Sequence, residues 1–196
     1  TLRQGMKWSD GQPFTADDVL FNVNDLIRNA DFAPTHPRYM SGGEPMTVEK
    51  LDDHTVKFVF KQPYGEFLNE LATPLGQHPV LYAKHYCEQF HPTYNSDLTA
   101  AIDAAGAGDW QTLFIQKCGD IEVPSRWGNA ERPTLDPWVV KMPYTGGATL
   151  VTLERNPYFW QVDSAGNQLP YIDTLSSDVS QDVESLVLSV IGGNID

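Results

Sequence analysis

Apolar residues near the start of the chain repeat at the spacing of a helix. Between Val19 and Ile27 they recur every three or four positions, which places them on one side of a helix. Thr15 precedes this run, and Asp18 follows Thr15 at the spacing of an acidic variant of the capping box. The pattern therefore predicts a helix over about residues 16–29 with Thr15 as its N-cap.

Elsewhere the spacing changes to alternation or to shorter helical runs. The local pattern predicts strands at Thr1–Trp8, Thr47–Leu51, Thr55–Phe60, Pro137–Lys141, Ala148–Glu154 and Thr174–Val179, with clear alternation in Thr55–Phe60 and in Val151–Glu154. Helical spacing predicts helices at Tyr64–Leu71, Tyr82–Phe90, Asp97–Ala105, Trp110–Lys117 and Asp182–Val190. The last helix has a stripe predicted to be buried, formed by Val183, Leu186, Val187 and Val190. Because helices and strands are mixed throughout, we expect an α/β fold of the mixed α+β kind.

A proline corner followed by aromatic residues interrupts the pattern late in the chain. Asn156-Pro157 stops the preceding strand, because proline has no N–H to donate and restricts the residue before it. Tyr158, Phe159 and Trp160 follow at once. Large aromatic side chains behind such a corner usually pack into a core, so we predict that Trp160 is buried.

Composition and charge narrow the classes of function. Hydrophobic residues make up 41% of the 196 residues, which is enough for a packed core. The formal net charge is −13. Phosphate binding needs a basic face, so this charge argues against nucleic acid as a partner and against binding to an anionic membrane surface.

Four stretches resemble, in the same order, signature blocks of the family 5 extracellular solute-binding proteins of ABC importers. Leu2–Val19 (LRQGMKWSDGQPFTADDV) is similar to the family's LRKGVKWSDGEPFTAEDV, and Leu153–Trp160 (LERNPYFW) to its LERNPDYW. Leu169–Asp173 (LPYID) is similar to LPYLD, and Gly192–Asp196 (GGNID) to AGEID. Each block alone is a weak signal, but together they span nearly the whole chain.

The resemblance implies a fold and a division of the chain. We expect an internal fragment of a periplasmic-binding-protein-like fold (type II, cluster C). Residues 1–120 would form the accessory lobe, and residues 121–196 part of the first large lobe. The termini of the parent protein and its second large lobe would lie outside the chain. A parent of this kind is expected to be a periplasmic or otherwise extracytoplasmic monomer without a cofactor, whose partners are ABC permease subunits in the membrane.

The resemblance also implies a peptide as the first expectation for the solute. Two departures from the family pattern favour an oligosaccharide as the alternative. Pro133–Trp138 replaces a common Gly-Thr-Gly-Pro-Tyr turn, and the connector Gln161–Gln168 is longer than usual. A sensor or interaction module of the same fold, without transport, is a further alternative.

Candidate binding residues lie in two places. Trp127, in the non-periodic segment 120–136, stands beside Arg126 and Asn129 and could stack on a solute. The alternative is a purely structural role, in which Trp127 packs between the two sub-lobes. Ser177 and Asp178 end a predicted strand, a common position for ligand contacts.

The sequence contains no recognisable catalytic, phosphate-binding or metal-binding motif, so we expect neither an enzyme nor a metal site. Asp10, Asp17 and Asp18 could be read as metal ligands, but a turn and a helix cap account for them. Cys87 and Cys118 could form a disulfide in an exported protein, and the sequence leaves open whether their helices meet.

Overall fold

The computed structural model describes residues 1–32, 39–121, 124–180 and 182–193. The α-helices are α1 (Ala16–Leu20), α2 (Phe67–Leu71), α3 (Lys84–Cys87), α4 (Thr99–Ala105), α5 (Trp110–Cys118) and α6 (Val183–Ile191). The strands are β1 (Met40–Ser41), β2 (Glu44–Pro45), β3 (Thr47–Asp52), β4 (Thr55–Val59), β5 (Trp138–Met142), β6 (Leu150–Arg155) and β7 (Thr174–Asp178). Short 3₁₀ helices occupy Pro74–Val80, Glu88–Phe90 and Pro124–Trp127. The mixed fold class is confirmed.

The first helix begins as predicted but changes type after one turn. Thr15 is its N-cap, and Asp18 completes the capping box by accepting from the Thr15 N–H at 2.9 Å. Beyond α1 the chain continues as a π-helix over Phe21–Ile27, so the predicted helix is present but only its first part is α-helical. The buried Asn22 amide accounts for the wider turn, because it bonds the Asp18 carbonyl at 2.7 Å and the distant Tyr82 carbonyl at 2.8 Å.

The predicted strand at Thr1–Trp8 does not form. Gly5 takes a left-handed conformation with φ of 80°, which turns the chain, and only Lys7 makes an isolated bridge, to Pro13. The turn that follows is confirmed, since Gly11 has φ of 88° and its N–H bonds the Trp8 carbonyl at 2.9 Å.

The hydrophobic core lies in the first two thirds of the chain. One cluster of buried residues surrounds Trp8, Val19 and Met46, and the β3–β4 hairpin packs against it. A second cluster surrounds Phe21 and Phe114. It includes both cysteines, so helices α3 and α5 do meet. The structure joins Cys87 and Cys118 in a disulfide with Cα atoms 6.0 Å apart.

The last third contains an antiparallel sheet in the order β5-β6-β7. Trp138 of β5 pairs with Arg155 of β6, and Leu150 of β6 pairs with Asp178 of β7. Because neighbouring strands run in opposite directions, the C-terminal ends of β5 and β7 lie at the same end of the sheet. This end of the sheet carries the candidate site.

The aromatic residues behind the proline corner are not core, so the prediction for Trp160 is wrong. Trp160 is 38% exposed and Tyr158 is 41% exposed. The corner turns onto the N-terminal segment instead of covering the sheet. There the Arg3 guanidinium lies 5.6 Å from the centre of the Trp160 ring, and Lys7 lies 5.3 Å from that of Tyr158.

Helix α6 forms where predicted, with Asp182 as N-cap, but its apolar stripe is not buried. The exposed fractions of its side chains are 74% for Val183, 44% for Leu186, 49% for Val187 and 58% for Val190. Among the described residues, no helix or strand packs over this stripe to bury it. The matching family block at Gly192–Asp196 lies partly outside the described residues, which end at Gly193.

Candidate functional site

Trp127 lies at the end of the short 3₁₀ helix Pro124–Trp127, within the segment predicted to be an irregular loop. Its side chain is 36% exposed. The guanidinium of Arg126 lies 5.7 Å from the centre of the indole ring. Only 11% of the Arg126 side chain is exposed, so the cation that faces the indole is largely buried.

Arg126 is held by two polar partners on different segments. Its Nη2 donates to Asp136 Oδ1 at 2.6 Å and to Gln77 Oε1 at 3.1 Å. These contacts tie the Trp127 segment to the 3₁₀ helix Pro74–Val80 and to the start of β5. Arg126 thus lies against the indole and forms a charge-assisted hydrogen bond with Asp136.

Asp136 also faces a second, more deeply buried cation. The Arg132 side chain is 4% exposed, and its Nη2 lies 3.7 Å from Asp136 Oδ2. Burial lowers the pKa of Arg132, and the Asp136 charge acts in the opposite direction. The single carboxylate of Asp136 therefore faces two guanidinium groups beneath the loop, and these three groups together carry a net charge of +1.

Asn129 anchors the same loop from the other side. Its Nδ2 donates to the Tyr86 hydroxyl at 2.8 Å and to the Lys117 carbonyl at 2.7 Å, and its Oδ1 accepts from the Glu131 N–H at 3.0 Å. Burial is also the main reason that the pKa of Tyr86 is raised. These bonds occupy the amide of Asn129, and its role in solute contact stays a prediction.

Ser177 and Asp178 are exposed at the C-terminal end of β7. They pair with Val151 and Leu150 of β6, and the Val179 N–H extends the ladder by donating to the Thr149 carbonyl at 2.9 Å. The strand that was predicted to end here is therefore present. Solute contact by the two residues stays a prediction.

The structure brings the two predicted groups to one end of the sheet through a residue that the sequence reasoning missed. The N–H of Tyr144, two residues beyond β5, donates to the Trp127 carbonyl at 2.8 Å. Tyr144 is 42% exposed. Because β5 and β7 end on the same side, Asp178 and the main-chain contact between Tyr144 and Trp127 lie toward one end of the sheet, which we call the sheet-end surface. An aromatic residue just before a Gly-Gly turn was the available signal.

A cleft lies between the 3₁₀ helix Pro74–Val80, the segment that leads into β5 and the aromatic residues behind the proline corner. It has a volume of about 300 Å³ and is lined by Gln77, Val80, Leu81, Thr134, Leu135, Asp136, Pro137, Phe159 and Trp160. Its walls are mainly apolar, and Gln77 and Asp136 at its polar side are already bonded to Arg126. The cleft therefore lies at the interface where the first part of the chain packs against the segments next to the sheet.

A group of metal-binding side chains and a membrane-spanning helix are both absent from the part of the chain that the structure describes. Within residues 1–32, 39–121, 124–180 and 182–193, histidine, cysteine, aspartate and glutamate side chains nowhere form a group of three that could hold a metal ion. None of the helices within these ranges combines the length and apolar character needed to cross a membrane.

Comparison with known proteins defines the class. The profile of the bacterial extracellular solute-binding proteins, family 5 middle region, matches residues 1–196. A periplasmic alpha-galactoside-binding protein of Rhizobium meliloti (strain 1021) is 31% identical over 97% of this chain and 24% of its own length. The chain belongs to this family of solute-binding proteins.

Solved structures agree with the assignment. A structure described as the oligopeptide-binding protein OppA matches all of this chain and 29% of its own, with a TM-score of 0.82 and 42% identity. The binding protein MelB from Agrobacterium fabrum C58, solved with stachyose, matches 96% of this chain and 25% of its own, with a TM-score of 0.66 and 26% identity. The chain thus spans about a quarter to a third of the length of these relatives.

Proposed function

We propose that the protein that carries this chain is the solute-binding component of an ABC importer. It captures a peptide outside the cytoplasmic membrane and delivers it to membrane permease subunits, with an oligosaccharide as the alternative solute. The observation that carries the proposal is the family match over residues 1–196. The relatives supply both solute classes, since one is described as an oligopeptide-binding protein and others as binding an alpha-galactoside or stachyose.

The burial pattern supports the proposed division into lobes. Buried apolar residues of the described chain lie between Trp8 and Cys118, whereas the sheet β5-β6-β7 and helix α6 leave apolar side chains exposed. We propose that residues 1–120 form the accessory lobe and residues 121–196 part of the first large lobe, whose remaining core would come from other polypeptide. The working protein would be an extracytoplasmic monomer.

Members of the family are solute-binding proteins and not enzymes, and we expect no turnover by this protein. The same relatives support transport rather than sensing, and a sensor of this fold would bind solute without import. Uptake of labelled solute by a strain that lacks the gene separates these two outcomes.

Calorimetry on the full-length gene product tests the proposal. Neutral peptides and neutral oligosaccharides are titrated in turn, and one of the two classes is expected to bind with a Kd in the micromolar range or below. Loss of the gene is expected to abolish uptake of the same solute. A protein that binds neither class, in a cell whose uptake of both is unchanged, contradicts the proposed function.

A further inference from the structure

We propose that a pocket between the N-terminal segment and the proline corner binds an oxyanion, that is, a carboxylate or phosphate group. The pocket has a volume of about 320 Å³ and is lined by residues 3–7 on one side and by residues 157–160 and Gln168 on the other. We call it the corner pocket. The inference goes beyond the proposed function, because it does not depend on which solute the protein carries.

Two positively charged side chains line the corner pocket, Arg3 and Lys7, and none of the lining residues is acidic. In the part of the chain that the structure describes, neither cation belongs to an ion pair, whereas Lys57, Lys61 and Lys141 each contact a glutamate. The chain as a whole has a formal net charge of −13. Two like charges that line one cavity repel each other, so a negative group in the corner pocket would stabilise both.

Each of the two cations is placed by an aromatic ring of the corner. The Arg3 guanidinium lies 5.6 Å from the centre of the Trp160 ring, and Lys7 Nζ lies 5.3 Å from that of Tyr158. A ring face attracts a cation but carries no net charge that could neutralise it. Guanidinium and ammonium groups also have N–H groups that do not meet the ring, and these remain for an acceptor in the pocket.

The carbonyl groups of the corner already accept hydrogen bonds. Gln168 Nε2 donates to the Pro157 carbonyl at 2.9 Å and to the Phe159 carbonyl at 2.9 Å. Arg3 Nη1 donates to the Trp160 carbonyl at 2.7 Å, which uses one of its five N–H groups. Carbonyl oxygens that are bonded in this way repel an incoming anion less than free ones would. The corner pocket therefore offers positive charge without an opposing row of free acceptors.

The aromatic wall of the corner pocket is fixed before any ligand arrives. The Tyr158 N–H donates to Asn156 Oδ1 at 2.9 Å, and the Asn156 side chain is fully buried. The Tyr158 ring also packs on Gly11, where a Cβ atom would lie 3.2 Å from the Tyr158 hydroxyl. Phe159 and Trp160 are in ring contact at 5.6 Å between centroids. A wall that is already ordered loses little conformational entropy on binding.

An oxyanion matches these groups better than other ligands do. The guanidinium of Arg3 can donate two parallel N–H groups to a carboxylate or phosphate, and Lys7 adds a point charge. A cationic ligand would be repelled, and a neutral one would leave both charges uncompensated. Two sources could supply the oxyanion: a small anion from solution, or a carboxylate side chain of the remaining gene product, since this chain spans only about a quarter to a third of its relatives.

The test uses the full-length gene product at low salt, with citrate and inorganic phosphate as probes and potassium chloride at equal ionic strength as the reference. If the oxyanion comes from solution, at least one probe is expected to raise the melting temperature by about 1–2 °C more than chloride does. Arg3→Gln/Lys7→Gln is expected to abolish this gain and to weaken probe binding in calorimetry at least tenfold. Arg3→Lys/Lys7→Arg, which keeps both charges, is expected to retain most of it.

A matched control is present in the same chain. Lys84 Nζ lies 5.4 Å from the centre of the Tyr94 ring, nearly the distance between Lys7 and Tyr158, but Lys84 does not line the corner pocket. Lys84→Gln is expected to retain the gain from citrate or phosphate. Both anions also stabilise folded proteins by exclusion from their surface, and all variants share that effect.

The outcomes separate the two sources of the oxyanion and expose a wrong inference. If the gene product itself supplies the carboxylate, neither probe adds to the melting temperature. Arg3→Gln/Lys7→Gln then melts below Arg3→Lys/Lys7→Arg, by a difference that shrinks in about 0.5 M potassium chloride. A gain that persists in Arg3→Gln/Lys7→Gln overturns the inference. So does the absence of any gain when both double variants melt at the same temperature. None of these results bears on the proposed function, which is tested by solute binding and uptake.

Discussion

Residues 8–118 and residues 138–193 bury their apolar side chains to very different degrees. In the first region Trp8 and Phe114 are 0% exposed, and a disulfide joins two of the helices. In the second region, Leu188 and Ile191 of α6 are 68% and 77% exposed, and among its described residues only Asn156 is fully buried. The first region has a core of its own, whereas the second forms regular strands and a helix without one.

The difference shows that secondary structure and burial have separate causes in this chain. The strands of the second region are satisfied by main-chain pairing across β5-β6-β7. Their apolar faces need further polypeptide to cover them, because exposed patches of this kind mark contact surfaces. The relatives, three to four times longer, are consistent with such a cover.

Core truncation should show the largest contrast between the regions. Phe114→Ala is expected to lower the free energy of unfolding of the 196-residue chain by about 3–5 kcal/mol, because it deletes a fully buried ring. Leu188→Ala in the exposed α6 should change it by less than about 0.5 kcal/mol. Urea denaturation measures both, and equal losses would show that α6 shares the main core.

Removal of the disulfide should follow in size. Cys87 and Cys118 are separated by 31 residues in sequence. In the chain-entropy description, a closed loop of this length stabilises the folded state by about 3–4 kcal/mol. The melting temperature of the chain should fall on treatment with reductant, and the double variant Cys87→Ala/Cys118→Ala should no longer respond. A chain whose melting temperature is insensitive to reductant would contradict this prediction.

Local features of the sequence predicted most of the elements. Thr15 and Asp18 form a cap because the required groups lie within one turn of each other, and the three strands of the last sheet were predicted from their local sequence. The π-helix was not predictable in this way. Its cause is Asn22, whose amide reaches Tyr82, 60 residues away.

The candidate site was likewise predictable where local sequence decides the structure and not where a tertiary contact does. Trp127 was found because its segment lacks periodicity, and its exposure agrees with that observation. Tyr144 was missed because only a tertiary hydrogen bond brings it to Trp127. The burial expected of Trp160 and of the α6 stripe was wrong, because apolar spacing shows which face could be covered and not whether polypeptide is there to cover it.

Acidification should weaken the first region through His91. The ring is 1% exposed, and burial lowers its pKa, although the Asp25 charge and its carbonyl oppose this shift. An unfolded histidine binds a proton near pH 6.5, while the folded ring resists it, so stability is lost as the pH falls through about 6.5. His91→Gln should flatten the decline in unfolding free energy between pH 7 and pH 5. An identical decline in the variant would assign the effect to other groups.

The N-caps of α1 and α6 test the difference between the two regions through the smallest expected change in stability. Thr15 Oγ1 accepts from the Asp17 N–H at 3.3 Å, and Asp182 Oδ1 accepts from the Ser185 N–H at 2.7 Å. Thr15→Ala should lower the global stability of the chain by about 1 kcal/mol, and Thr15→Gly by less, because α1 is packed into the core.

Asp182→Ala removes a cap of similar local strength from a helix that buries no side chain in this chain. Its loss should fray α6 without moving the global unfolding transition, since local opening and global unfolding are separate events when few contacts couple them. Hydrogen exchange is expected to show faster exchange of the α6 amides in Asp182→Ala, with exchange in α5 unchanged. If Asp182→Ala instead lowers the melting temperature as much as Thr15→Ala does, α6 is coupled to the main core, and the two regions form one cooperative unit despite the exposure of the helix.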